Sequence, residues 1–481
     1  MAHNKFLPRV LAAAAAMMLL AGCSSKADPG FSPANPVNIT IWTYYNGEQL
    51  EAFNALVDEF NSTVGKEQGI TVESSSHGSV TDLENNVLAS AEGKVGAEAM
   101  PNIFSAYADT AYALDEMGQI ADLSDYLSEE DRAAFIEDYL SEGDFSGSGS
   151  IKIFPVAKSA ELLFLNETDW EPFAAATGAT YDDLATIEGL VSVAERYYEW
   201  TDAQTPDIPN DGRAFFGRDA MANYMLIGAK QLGCTIFAAQ GGSMTLNFDH
   251  DAVRTLWDNY YVPFIKGYFS ASGRFRSDDV KTGNIIAYVG SSSSATFFPT
   301  QVIADDMDSH DITRKALESP KFANGEDYAV QQGAGMVVTK ASDAEIQASL
   351  VFLKWFTSPE HNITFSVDSG YLPVTHEGNS IDAIRISGLA LSNEMDEVLS
   401  AAVDTVNENH LYTPHAFSGG TNARAILEYS MSDKASADRA AVKEAMAQGQ
   451  SFEEASAQFL SDECFEAWYQ DTLASLEAFQ G

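Results

Sequence analysis

Apolar and polar side chains alternate over Val37-Asn38-Ile39-Thr40-Ile41-Trp42, the period of a half-buried strand. An amphipathic helix follows, with Phe53, Leu56, Val57 and Phe60 on one face. Ile70-Thr71-Val72 begins a second strand, Asp82 to Glu92 predicts a second helix, and Pro101 to Tyr107 reads as a third strand. This β-α-β-α-β order predicts a right-handed parallel sheet. Ligands of such sheets bind beyond the carboxyl ends of the strands, so Trp42, Tyr44, Tyr45 and Tyr107 fall at a candidate cleft. The same four aromatics also suit a core, where such rings are commonly buried.

Asp122 to Tyr139 is acidic and predicts a helix with a solvated face. Gly143 to Ser150 is a surface turn without the Lys-Ser/Thr of a phosphate loop. Phe154 to Asn166 is a Pro-containing extended run that becomes apolar and ends in asparagine. Leu184 to Trp200 predicts a helix, and Phe215 to Tyr224 predicts the opening of another, with Asp219 as cap. Asn247 to Asp251 spaces its oxygens like a calcium loop, but Ala252 stands where that loop needs glycine and no Glu closes it, so a helix cap is the better reading. Val253, Leu256, Trp257 and Tyr260 share one face of the helix that follows. Ile285 to Gly290 is a strand that runs directly into Ser291 to Ser294.

The stretch from Gln331 to Val374 is the most informative. Met336-Val337-Val338 is a strand entered through Gly333 and Gly335, two positions where the backbone can approach a neighbour or a ligand closely. Ser342 and Glu345 form a capping box, and Ile346, Leu350, Leu353 and Phe356 mark a buried helix face that Pro359 is expected to end. Gly370-Tyr371-Leu372-Pro373-Val374 then turns the chain and holds Tyr371 on a fixed loop. This order of strand, capped helix ending in Trp-Phe, Ser-Pro-Glu and Gly-Tyr-Leu-Pro resembles the extracellular solute-binding proteins of family 1, the capture subunits of ABC importers.

The resemblance can be followed over most of the chain after residue 36, and it implies a type II two-lobed α/β fold of the periplasmic-binding-protein kind with a hinge between the lobes. Residues 37–155 and 326–367 would form lobe 1, and residues 156–325 and 368–481 lobe 2. Its implied crossing segment places Lys158, Ser159 and Glu161 against the solute, with Lys158 able to hold a phosphate or carboxylate; a solvated surface lysine is the competing reading. Arg218 and Tyr224, and Ser291 and Ser292 in the small-residue turn, are implied contacts as well. With Trp42, Tyr44, Tyr45, Tyr107, Gly333, Gly335 and Tyr371 these complete the candidate site. Relatives that bind glycerol phosphates use an arginine in a Gly-rich turn near the C-terminus. Here that region reads His415-Ala416-Phe417-Ser418-Gly419-Gly420, and its nearest arginine is Arg424. A sugar or oligosaccharide is therefore the expected solute, a glycerol phosphate the alternative, and a surface-anchored carbohydrate-active enzyme the alternative of another class.

The N-terminus changes where the protein is expected to work. Lys5 and Arg9 precede a short apolar run from Val10 to Leu20, and Leu20-Ala21-Gly22-Cys23 matches a lipoprotein cleavage site. Residues 1–22 read as a signal peptide, Cys23 as a lipid-modified first residue on a membrane surface outside the cytoplasm, and residues 23–36 as a flexible tether. The expected partners are a small solute, a membrane permease and the lipid anchor, with the chain itself a monomer. The 481 residues exceed one core and predict at least two domains. A net charge of −43, from 70 acidic against 27 basic residues, excludes a nucleic-acid footprint. Cys234 and Cys464 neither demand nor exclude a bridge, although a chain this large needs no staple. No nucleophile elbow, His-Glu-x-x-His, Cys-x-x-Cys or dinucleotide fingerprint occurs, so no cofactor, metal or catalytic residue is assigned.

Overall fold

A computed structural model describes residues 30–303 and 309–480. The leader, Cys23 and the start of the expected tether lie outside the described residues. The end of that tether belongs to the body, because Phe31 is buried in the core and Asn35 donates its side-chain amide to the Gly30 carbonyl.

The chain begins β1 (Val37–Thr43), α1 (Gly47–Ser62), β2 (Ile70–Ser76), α2 (Val80–Ala91), β3 (Ile103–Ala106) and α3 (Ala108–Glu116). Ser79 caps α2 by accepting the Asp82 N–H at 3.1 Å. The acidic segment expected to be one solvated helix is instead broken into short turns, the second being α4 (Glu137–Ser141). Phe135 and Tyr139 are buried there, and the Ile136 N–H bonds to the Val374 carbonyl, so the segment is pinned to the body.

A second sheet starts with β4 (Glu161–Asn166), apolar throughout its middle because both faces are covered. Phe216–Arg218 does not open a helix as expected. It is a short strand, β5, and α5 (Met221–Gln231) begins only after Ala220, with Asp219 giving its N–H to the Val289 carbonyl. The hairpin β6 (Phe237–Gln240) and β7 (Ser243–Leu246) leads to α6 (His250–Lys266), capped as expected by Asp249. Then come β8 (Ala287–Ser291), β9 (Arg314–Glu318), β10 (Tyr328–Val330) and β11 (Gly335–Val338). Helix α7 (Asp343–Phe356) carries the expected Ser342–Glu345 capping box. Pro359 does not simply end it: Pro fits the first turn of a helix, and it opens α8 (Pro359–Ser369). The remainder is helical as expected, with α9 (Asn393–Glu408), β12 (His410–Tyr412), α10 (Gly420–Ala447) and α11 (Asp462–Glu477) as its main elements.

Two four-stranded sheets result, in the orders β11-β3-β1-β2 and β9-β4-β8-β5. In the first, β1 runs parallel to β2 and β3 while β11 is antiparallel to β3. In the second, β4 is antiparallel to both neighbours and β5 is parallel to β8. A small parallel pair, β10 with β12, lies outside both sheets. Helices α7 and α8 return to the first sheet, where Phe53 meets Phe352, Phe356 and Phe365. Helix α10 packs on α5 and α6 of the second. Cys234 and Cys464 are both free thiols.

Phe53 is fully buried at the junction of α1, α7 and α8. Phe53→Ala should cost about 3–5 kcal/mol, read as a lower urea midpoint with an unchanged slope.

Candidate functional site

Three stretches of chain connect the sheets and lie side by side. Lys158 donates its N–H to the Leu372 carbonyl at 3.1 Å and accepts from the Leu372 N–H at 2.6 Å. Ser159 and Gln332 exchange backbone bonds of 3.0 and 3.2 Å. Gly333 lies at φ +88°, and a Cβ there would sit 2.7 Å from the Ala157 carbonyl oxygen, so only glycine lets the second stretch lie against the first. The Lys158 side chain is buried, not solvated. Its ammonium donates to the Glu142 carboxylate and, at 2.8 Å, to the Gly333 carbonyl. Gln331 adds a bond of 3.1 Å to the same carboxylate. Each charge satisfies the other away from water, which a lone buried charge could not tolerate.

A second polar chain runs through the other sheet. Glu161 heads β4 and Arg218 ends β5, and their side chains form a buried ion pair. Asn223 donates its side-chain amide to Glu161 at 2.8 Å and accepts from the Arg424 guanidinium with its side-chain oxygen. Arg424 lies one turn into α10, and Asn223 fixes its direction.

Arg424 faces the carboxyl ends of the first sheet. Tyr107 follows β3, and its phenol lies within electrostatic reach of Tyr371, Arg424, Glu142 and Glu84. Burial, its largest cause, pushes the phenol well up, and Tyr371 adds to this. The Tyr44 and Tyr371 hydroxyls are 3.2 Å apart, and burial raises both phenols. Glu84 accepts the Thr110 hydroxyl at 2.9 Å and is raised by burial. Burial also pushes the Asp109 carboxyl up to about 6, with Glu84 and Glu142 acting the same way and Arg424 against them. The arrangement is a wall of tyrosines and carboxylates facing one oriented guanidinium, suited to hydrogen bonding with a polar, uncharged group.

The expected site residues divide among three places. Tyr44, Tyr107 and Tyr371 meet around this cleft. Lys158, Ser159 and Gly333 form the connection between the sheets, and Glu161 and Arg218 the chain behind Arg424. The others are occupied by packing. Tyr45 is buried against Phe53 and Phe365, and burial raises its phenol. Trp42 packs at a tilt against His77, with ring centres 4.4 Å apart. The Tyr224 hydroxyl bonds to the Leu256 carbonyl inside the second core. Ser292 donates its hydroxyl to the Gly370 carbonyl, whereas half-buried Ser291 caps the following turn. Gly335 pairs with Ala106 and presses on Ile153. Glu84, Asp109, Glu142 and Asn223 were not anticipated. Asp109 lies in the first turn of the helix after β3, and Glu84 just past the first turn of the helix after β2, where the strand-end rule could have found them.

A cavity of about 200 Å³ opens beside Glu142, between Gln331, Tyr412 and His415. A roomier one, of about 830 Å³, lies at the amino ends of β5 and β8 near Trp200 and Arg439, on the wrong side for the strand-end rule. Among the described residues, no cluster of His, Cys, Asp or Glu could hold a metal ion.

Two sheets, sharing one buried cluster and joined by three adjacent connections with polar groups gathered at their meeting edge, define a two-lobed periplasmic-binding-protein fold. The chain belongs to the bacterial extracellular solute-binding proteins, whose family profile matches residues 55–383. No curated protein sequence matches it. Among solved structures it is similar to the cyclic alpha-maltosyl-1,6-maltose binding protein of Arthrobacter globiformis, with 17% identity, a TM-score of 0.66 and coverage of 92% of this chain and 100% of that one. UgpB from Mycobacterium tuberculosis in complex with glycerophosphocholine gives 16% identity, a TM-score of 0.63 and coverage of 92% and 99%. The maltotriose binding protein of Thermus thermophilus gives 13%, 0.60, 92% and 99%.

Lys158→Met should leave Glu142 buried without its cation and cost about 3–5 kcal/mol in urea unfolding. Adding Glu142→Gln should recover most of that loss, since the uncompensated charge is then gone.

Proposed function

We propose that this chain is the capture subunit of an ABC importer and that it holds an uncharged sugar or oligosaccharide between its lobes. The observation that carries this reading is the state of the two cations expected to serve a phosphate. Lys158 is paired with Glu142 and Arg218 with Glu161, both away from solvent. Neither can turn to an anionic solute without abandoning a buried carboxylate. What remains facing the cleft is tyrosine hydroxyl, carboxylate and the Arg424 guanidinium, a set that matches the hydroxyls of a sugar. Family membership supports capture outside the cytoplasm, and the similar folds that carry maltosyl sugars and maltotriose support the solute class. Tyr44, Tyr107, Tyr371 and Arg424 would touch the solute, with the three connections between the sheets acting as the hinge near residues 156, 325 and 367.

A glycerol phosphate is the second reading. Arg424 favours it, standing one turn after Gly419-Gly420 and pointing at the cleft, as does the similar fold that binds glycerophosphocholine. Catalysis is not part of either reading. The leader motif supports export and anchoring through Cys23, and among the described residues no helix is long and apolar enough to cross a membrane.

A thermal-shift panel of sugars, oligosaccharides and glycerol phosphates tests the solute. A ligand at about 100 times its Kd should add about 2.7 kcal/mol, visible as a raised Tm. One intact sugar should give the response. A selective response to glycerol phosphates would transfer the assignment to the second reading, and turnover of an oligosaccharide would contradict both. Anchoring has its own test: Cys23→Ser should move the protein from the membrane fraction to the soluble fraction on cell fractionation.

A further inference from the structure

The lobes meet a second time, far along the chain from their connections. Asp109 and Tyr112 lie three residues apart on α3, on the same face of the helix. Both point across the cleft to positions that carry no side chain. A Cβ on Gly420 would lie 2.3 Å from an Asp109 carboxylate oxygen, and one on Gly242 would lie 2.2 Å from the Tyr112 hydroxyl oxygen. The two glycines belong to one unit of the second lobe. The Ser418 N–H reaches the Gly242 carbonyl at 3.3 Å, and the Phe237 and Phe417 rings are 5.3 Å apart. On its own lobe Tyr112 is steadied edge-on by Phe145, 5.6 Å between ring centres.

We propose that α3 is a latch: Asp109 and Tyr112 seat on Gly420 and Gly242 and hold the lobes closed by direct contact, whatever solute fills the cleft. The idea rests on hinged lobes and not on the identity of the solute. At 420 only the fit is at issue, because Gly420 does not have a positive φ: a Cβ there would displace the Asp109 carboxylate from its seat. Gly242, at φ +82°, is also needed for the turn between β6 and β7, so Gly420 is the cleaner probe. Gly419, the N-cap of the 28-residue α10, offers no side chain to cap it, and the helix's positive end faces the Asp109 carboxylate.

The contact has a pH dependence of definite sign. The groups facing Asp109 are Glu84 from α2, Glu142 after α4, and Arg424 and Gly420 from α10. Burial dominates, so the carboxyl is held near 6 in the closed form. An opened lobe returns it to water and to the ordinary carboxylate range. The closed form therefore binds the proton more tightly, and closure gains as pH falls from about 7 to about 4 and loses that gain as pH rises through about 6.

The test is an inter-lobe distance distribution between spin labels at Lys94→Cys and Tyr429→Cys in the Cys464→Ala chain, recorded without added solute. Both label sites are exposed, one on each lobe. The latch predicts a dominant short distance that grows further on acidification. Gly420→Ala should cut the closed-to-open ratio about tenfold or more. Near pH 5, where the closed form holds Asp109 largely protonated, Asp109→Ala and Tyr112→Ala should each lengthen the distribution too, which keeps the test decisive if the glycine variant folds poorly. Gly420→Ala should do little more once Asp109→Ala has emptied the seat, a non-additivity that two independent structural lesions would not give. A predominantly long distance in the unsubstituted latch, or a distribution unmoved by Gly420→Ala and Asp109→Ala alike, overturns the proposal.

Discussion

Everything in this protein turns on the place where three connections pass between two sheets. A lysine with no exposed surface stands there. Lys158 binds Glu142 from the first lobe, the Gly333 carbonyl from the second connection and the Leu372 backbone from the third. The energetic constraint is desolvation. Neither charge can be left alone in that interior, so the pair must persist whenever the chain is folded. Close backbone approach adds to it, since Gly333 fits only without a Cβ, and Gly370 lies equally close to the Ser292 carbonyl. Such a belt of bonds holds the three connections together, so any swing of the lobes about them must be absorbed by residues outside it.

The same accounting of charge shapes the cleft. A chain this acidic has few cations to spare, and two of those near the cleft are used to neutralise Glu142 and Glu161. The remaining one, Arg424, is aimed by Asn223, which is itself held by Glu161. The ion pair behind the cleft therefore acts indirectly: Arg218 neutralises the carboxylate that orients the amide that orients the guanidinium. Opposite stand phenols and carboxylates whose burial favours their neutral forms. That combination presents hydrogen-bond donors and acceptors, with carboxylates beside Arg424 that oppose its charge, which suits a polyol better than a phosphate.

Local pattern made much of the fold readable. The alternation at Val37–Trp42, the capping box at Ser342 and the Gly-Tyr-Leu-Pro turn all lie in the structure where their periods and caps put them. The failures are also local in cause. Phe216–Arg218 is too short a strand to show a period beside the helix that follows it. Pro359 stops one helix and starts the next with the same fixed φ, so its mark in the sequence is ambiguous. The cleft was less legible because its chemistry is nonlocal. Among seventy acidic residues nothing in the sequence distinguishes Glu84, Asp109 or Glu142. Lys158 could be placed on the crossing segment, but its burial depends on a partner 16 residues away and a carbonyl 175 residues away. Arg424 was noticed only as the wrong distance from a glycine turn. That α10 begins at Gly420 and brings it round to Asn223 is a fact of helix geometry that no spacing rule held.

The fixed belt is tested most directly by amide hydrogen exchange at Lys158, Ser159, Gln332 and Leu372, resolved residue by residue. If the three connections form one rigid unit, these four amides should exchange as slowly as those of the β4 core, and stay slow when the lobes are driven open. Exchange at loop rates, or protection that vanishes on opening, would mean that the connections unzip as the lobes move, and the account of a stiff hinge built on Lys158 would be wrong.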